Sequence, residues 1–213
     1  MPGPNTLGGG SEPKSEKFQD ILTAALAEFY EHGFAAARLD SIAERAGVAK
    51  GTIYLYFSSK EVLFEEAVRH VISPIIERME VVSMRPSGSA SALLEQMLTT
   101  FYREVIGTDR RRLIRLLISD GPRFPSIVAF YHAEVVSRGM AVLRNILRYG
   151  VERKEFRETA AIQFPQAIFG PALAGAIWRI LFDEIDPIDA DGLCRVHLDI
   201  VLRGLLRDDH RPD

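Results

Sequence analysis

Residues 39–64 read LDSIAERAGVAKGTIYLYFSSKEVLF, and their pattern decides how the rest of the chain is read. Ile42, Ala43 and Ala46 form the inner face of a short helix. Gly47 then permits a sharp turn, because only glycine takes a positive φ without penalty. Val48 plugs the corner. Ile53 and Phe57, four apart, make the inner face of the next helix. A small Ala43, a turning Gly47 and an inward Ile53 fit two helices that cross closely, a helix-turn-helix. Lys50, Thr52, Leu55 and Tyr56 are left on the outer surface of the second helix.

Those outer residues suit a DNA groove. A recognition helix enters the major groove by its N-terminal end, and Lys50 and Thr52 sit in that first turn. Gly51 lets the backbone come close to a phosphate, which the helix N-terminus attracts. Tyr54 and Tyr56 each join a rigid ring to a hydroxyl, suited to pinning phosphates. Lys60 opens the following helix and is expected to reach a neighbouring phosphate. Arg38, just before the first helix of the pair, is placed to contact the opposite strand. Plainer readings stand beside these: Tyr54 as a half-buried ring, the three cations as ordinary solvated side chains.

Outward from this stretch, the apolar pattern is helical almost throughout. Phe18, Ile21, Leu22, Ala25, Leu26 and Phe29 mark one face of a helix that Gly33 is expected to end. Breaks at residues 86–89, 107–109, 121–122, 153–160 and 183–187 predict further helices over about 60–84, 90–106, 110–120, 125–152, 162–182 and 189–207. No run alternates with a period of two, so no sheet is expected. Pro171 is expected to kink its helix. Residues 1–14, rich in Gly, Pro and Ser, are expected to be a disordered tail. The chain thus divides into that tail, a helix-turn-helix domain over 15–60 and a larger helical domain over 61–213.

Composition bounds the remaining possibilities. The 213 residues are 47% hydrophobic and 26% charged, with a net charge of −3. That balance excludes a disordered or collagenous chain. No stretch reaches the ~18 apolar residues of a membrane span, and the N-terminus lacks a secretory apolar core. A single cysteine, Cys194, excludes an internal disulfide framework. A cytoplasmic protein is expected. Residues 1–65 hold six Lys/Arg against nine Asp/Glu, whereas residues 101–157 hold twelve against six. Charge alone would put DNA in the middle of the chain; the motif puts it near the start, where a few well-placed lysines act locally within a Debye length of ~10 Å.

The segment AGVAKGTIYLYFSSKEVLF, preceded by the amphipathic helix ending at Gly33–Phe34, resembles the DNA-binding domain of the TetR (tetracycline-repressor) family of transcriptional regulators. The resemblance covers about residues 15–65. It implies an all-α, Ω-shaped homodimer whose three N-terminal helices bind a palindromic operator. It further implies an effector pocket among the fourth to seventh helices and an intersubunit four-helix bundle from the last two. Ala49 departs from the family's frequent serine and cannot cap the recognition helix, a loss of about 1 kcal/mol. Arg38 stands where Ser or Thr is common.

Other candidates follow from chemistry. Phe101, Arg123, Tyr131 and Trp178 are the effector-pocket candidates: apolar walls with a few polar groups. The run Arg110, Arg111, Arg112 and Arg115 reads as a solvated or salt-bridged face, with an anionic effector as the sharper alternative. His32, His70, His132, His197 and His210 show no ligand-like spacing, so no metal is expected, and no cofactor. The last two helices carry apolar residues at three-and-four spacing, which a symmetry mate would cover. No nucleophile–base pair or phosphate loop suggests an enzyme. The expected function is a sequence-specific regulator, a repressor released from its operator by a small molecule. A small-molecule-binding helical protein or enzyme without DNA binding is the alternative.

Overall fold

In a computed structural model, residues 16–158 and 160–207 are described, and they fold into helices with one isolated antiparallel bridge, Phe156 to Leu206. The elements are α1 (Glu16–Ala36), α2 (Leu39–Arg45), α3 (Lys50–Tyr56), α4 (Lys60–Met84), α5 (Ala90–Thr100), α6 (Arg111–Asp120), α7 (Pro125–Tyr131), α8 (Arg138–Glu152), α9 (Gln166–Phe182) and α10 (Ala190–Leu205). The expected tail over 1–14 lies outside the described residues. The all-α expectation holds.

Two expected single helices are compound. The helix over 90–106 is α5 continued by a π-helical turn, Phe101–Ile106; that over 125–152 is α7, a second π turn, His132–Ser137, and α8. A π turn inserts a residue into the ladder and re-aims the side chains around it. The apolar period of the sequence passes through both without a break.

Gly33 does not end α1 but bends it. Its φ of 77° and ψ of 175° lie outside the helical region, and one more turn follows through Ala36. The helix-turn-helix corner closes as a Schellman motif: Gly47, at φ 64°, donates its N–H to Glu44 O (3.1 Å), and Val48 donates to Ala43 O (3.0 Å). A Cβ at Gly47 would meet nothing within 4 Å, so the dihedral rather than crowding requires glycine there. Ser59 caps α4, accepting the Val62 N–H at 3.2 Å.

Two large apolar cores result. One joins α1–α4 to Leu113 and Leu116 of α6 and Ile127 of α7, with Phe29, Phe34, Phe64 and Phe124 meeting ring to ring. The other packs α5 and α8 against Ile168 of α9 and Val201 and Leu205 of α10. A small third cluster, with Tyr102, Ile106, Ala172, Ala176 and Cys194, lies between the π turn, α9 and α10. The N-terminal helices therefore do not float free of the rest; α4 and α6 belong to their core.

Candidate nucleic-acid interface and effector cavity

Helix α3 is anchored by Ile53 within it and Phe57 at its end, both buried. Everything else on it faces outward. Tyr54 is 52% exposed, Leu55 84% and Tyr56 42%. Thr52 is half-buried and Gly51 is open on the side where a Cβ would stand. The helix begins at Ala49 without a side-chain cap. Tyr56 is not a loose ring: its edge packs on Phe18 of α1 at 5.7 Å.

The cations are all engaged in this state. Lys50 Nζ lies 2.7 Å from Asp40 Oδ1, across the corner on the first turn of α2. This pair holds the Lys50 ammonium above its ordinary range and the Asp40 carboxyl below its own. Arg38 is largely exposed, with its guanidinium 4.0 Å from the same carboxylate. Lys60 differs from expectation. Its ammonium turns inward, donating to Ala35 O (3.1 Å) and Ala37 O (3.3 Å) over the Phe34 ring, so it ties down the end of α1 instead of facing outward for a phosphate. A lysine directly after a serine cap gives no sequence sign of this; only the fold brings α1's last carbonyls beside it.

Glu28, to which no sequence motif points, holds α2 in place. Its buried carboxylate accepts the Arg38 N–H at 3.2 Å and lies 3.3 Å from Arg45 Nε, so it grips both ends of the helix. Arg45 also pairs with Glu31. Glu28, Glu31 and His32 form a cluster of metal-ligand type among the described residues. The Arg45 guanidinium already occupies the cation position between the two carboxylates.

A cavity of about 300 Å³ lies between α4, α5, both π turns, α6, α8 and α9. Ile72, Ile76, Met97, Phe101, Val105, Ile114, Met140 and Phe169 form its apolar walls, and Thr100, Tyr131 and Gln166 supply its side-chain polar groups. Among the described residues, no charged side chain lines it. The π turns each feed it directly, through Phe101 and Val105 and through Val135 and Val136. Burial raises the Tyr131 phenol above its ordinary range.

Of the four effector candidates, Phe101 and Tyr131 meet in this cavity, and Arg123 and Trp178 do not reach it. Arg123 lies over the Phe124 ring, beyond the end of α6. Trp178 donates its indole N–H to Asp186 O (3.0 Å) and packs on Phe182, at the far end of α9. Aromatic identity alone could not separate a wall from a helix-end brace. The α6 arginines are salt-bridged or spent on carbonyls: Arg111 on Asp183 (3.5 Å), Arg112 on Asp109 (3.2 Å), Arg115 on Tyr30 O and Arg110 on Val71 O (3.1 Å).

In the third cluster, His197 Nε2 donates to Ile168 O (2.9 Å), and Nδ1 accepts from the Tyr102 hydroxyl (3.2 Å). Burial lowers the imidazole below its ordinary range, so this link between α9, α10 and the first π turn is neutral.

A glycine-cornered helix pair that presents an uncapped short helix defines a helix-turn-helix of the DNA-binding kind, and a largely apolar cavity lies among the helices that follow it. Residues 21–67 match the family described as bacterial regulatory proteins, tetR family. These residues are a DNA-binding region of the tetR type. The chain is similar to the fatty acid metabolism regulator protein of Bacillus subtilis, 27% identical over 159 residues that span 74% of this chain and 80% of that one. It is also similar to the HTH-type transcriptional regulator RutR of Escherichia coli, 43% identical over 67 residues, 32% of each chain. The fold matches that of FadR from Bacillus subtilis in complex with stearoyl-CoA. The TM-score is 0.70 and the identity 24%, with 88% of this chain and 98% of that one covered.

Proposed function

We propose that the chain is a homodimeric repressor released from a palindromic operator by a largely apolar effector, most simply the acyl chain of an acyl thioester. The uncharged cavity carries this reading. An apolar ligand entering it gives up water at about 25 cal/mol per Å² of buried surface, while a charged one would meet no counter-charge there. The similarity to a fatty acid regulator, and to a fold solved with stearoyl-CoA, supports the same class. Residues 15–60 serve as the reading unit and 61–213 as the sensing and pairing unit. Lys50, Gly51, Thr52, Tyr54 and Tyr56, with Arg38 alongside, would meet the duplex; Lys60 would act by holding α1. Homodimerisation through α9 and α10 is supported by their exposed Leu173, Leu181, Phe182, Val196 and Ile200.

A gel-shift of the full chain on the DNA upstream of its own coding region tests the reading. A retarded complex that palmitoyl-CoA dissolves, and CoA alone leaves intact, is expected. A complex indifferent to acyl-CoA of every chain length would overturn the effector class. No complex at low salt would overturn DNA binding itself. Met97→Glu, which puts a charge into the cavity wall, should abolish the acyl-CoA response while leaving the DNA complex in place.

A further inference from the structure

The turn that links α1 to α2 is held by charges from both sides, and one of them comes from α6. Asp120, the last residue of α6, accepts the Phe34 N–H at 2.6 Å and the Ala35 N–H at 3.3 Å through the same Oδ2. The bend at Gly33 exposes these two N–H groups by interrupting the helix. The fit is close: a Cβ at Gly33 would stand 2.7 Å from Oδ2, so glycine is needed there for space as well as for its φ of 77°. On the other side of the same turn, Lys60 Nζ holds the carbonyls of Ala35 and Ala37. Phe34, between them, is fully buried among Phe29, Phe64 and Phe124. Arg38 then opens α2 directly.

We infer that Asp120 is a positioning residue that sets the attitude of the helix-turn-helix relative to the ligand-binding helices. The same helix that carries it puts Ile114 into the cavity wall. Ile114 and Asp120 are six residues apart, about 9 Å along the axis, so any shift of α6 at the wall is passed to the α1–α2 turn by a charge-assisted hydrogen bond. Such bonds are short, directional and stronger than neutral ones. The α4 connection, by contrast, reaches the turn through the flexible Lys60 side chain and the apolar Phe64 ring, neither of which is as directional.

The inference rests on the DNA-binding reading, and the test separates the two. Hydrogen exchange of the full-length Asp120→Asn protein, without DNA, should be at least about tenfold faster at Phe34 and Ala35. Faster exchange should spread through residues 38–46, with the helical content unchanged. On DNA selected from a random pool by the wild-type protein, one base pair is then inserted between the half-sites. Wild type should lose affinity sharply, and Asp120→Asn should discriminate far less between the two spacings. Exchange that stays at wild-type rates, or rises at Phe34 and Ala35 alone, overturns the inference. So does weakening that is equal at both spacings, since lost stability alone would produce it. A wild type that selects no sequence defeats the proposed function, and the exchange experiment still decides the role of Asp120. Should Asp120→Asn fail to fold, Asp120→Ser, which removes the charge and draws the oxygen back from the two N–H groups, takes its place with the same outcomes expected.

Discussion

The N-terminal helices α1–α3 and the later helices α5–α10 are fixed in different ways. In the first, point contacts set the geometry: the Gly47 corner, the Glu28 carboxylate on both ends of α2, Asp40 on Lys50, Asp120 and Lys60 on the turn after Gly33. In the second, apolar filling mostly sets it, around a cavity, with the Tyr102–His197–Ile168 chain and the Glu155 carboxylate on the first N–H groups of α5 as polar exceptions. Point contacts give a rigid surface that one substitution can spoil. Apolar filling gives a wall that tolerates exchange of one hydrocarbon for another but not the arrival of a charge.

The largest expected effect attacks the second half of that comparison. Ile200 is 64% exposed on α10. Covered by a symmetry mate, a carboxylate there would be stranded in an apolar interface at a cost of several kcal/mol. A two-fold axis repeats the change in the partner. Ile200→Glu should therefore weaken self-association by about a thousandfold or more, and operator affinity should fall with it, while Ile200→Leu behaves as wild type. Light scattering coupled to size exclusion reads the outcome. A dimer that survives Ile200→Glu at micromolar concentration would show that this face is not the pairing surface.

A smaller but still large effect is expected at Gly47. Valine cannot adopt φ 64° without strain of about 2 kcal/mol. Relief of that strain by unwinding the corner would tilt α3 away from α2. Gly47→Val should reduce operator affinity by roughly thirtyfold and leave acyl-CoA binding, measured on the same protein, unchanged. Equal loss of both would mean that the two halves are less separable than their contacts suggest.

These two residues also mark how far the sequence could be read. Gly47 was legible because its constraint is local: a backbone dihedral is written in one residue and its neighbours. The helix boundaries at Lys60, Met84 and Ala90 were legible for the same reason. The apolar faces of α9 and α10 were legible as faces, since spacing reveals a stripe but not what covers it. Three features were not. The π turns leave the apolar period intact, so the cavity they help line could not be located, and Arg123 and Trp178 looked as good as Phe101 and Tyr131. The grip of Asp120 on Phe34 spans 86 residues, and nothing near either end signals it. Lys60 looked like a phosphate ligand because sequence shows a lysine's charge and not the carbonyls the fold brings to it.

A slighter change is expected at Asp40, where the proposed DNA-binding corner works against itself. The carboxylate that pairs with Lys50 at 2.7 Å stands on the helix-turn-helix corner, and both groups are exposed. Exposed pairs contribute little to stability, a median of ~0–1 kcal/mol, so Asp40→Asn should leave the melting temperature nearly unchanged. Its effect on DNA binding has a definite sign. A phosphate must take Lys50 from Asp40, and the freed carboxylate then repels that phosphate. Removing the charge should tighten binding to all sequences by about two- to fivefold at low salt, a gain that fades as added salt screens the corner. Titrations of specific and random duplexes across a salt series check this. Weaker binding on Asp40→Asn would mean instead that Asp40 aims the Lys50 side chain at its target. The pair would then be a positioning device of the same kind as Asp120 with Phe34, built on the surface rather than at the joint.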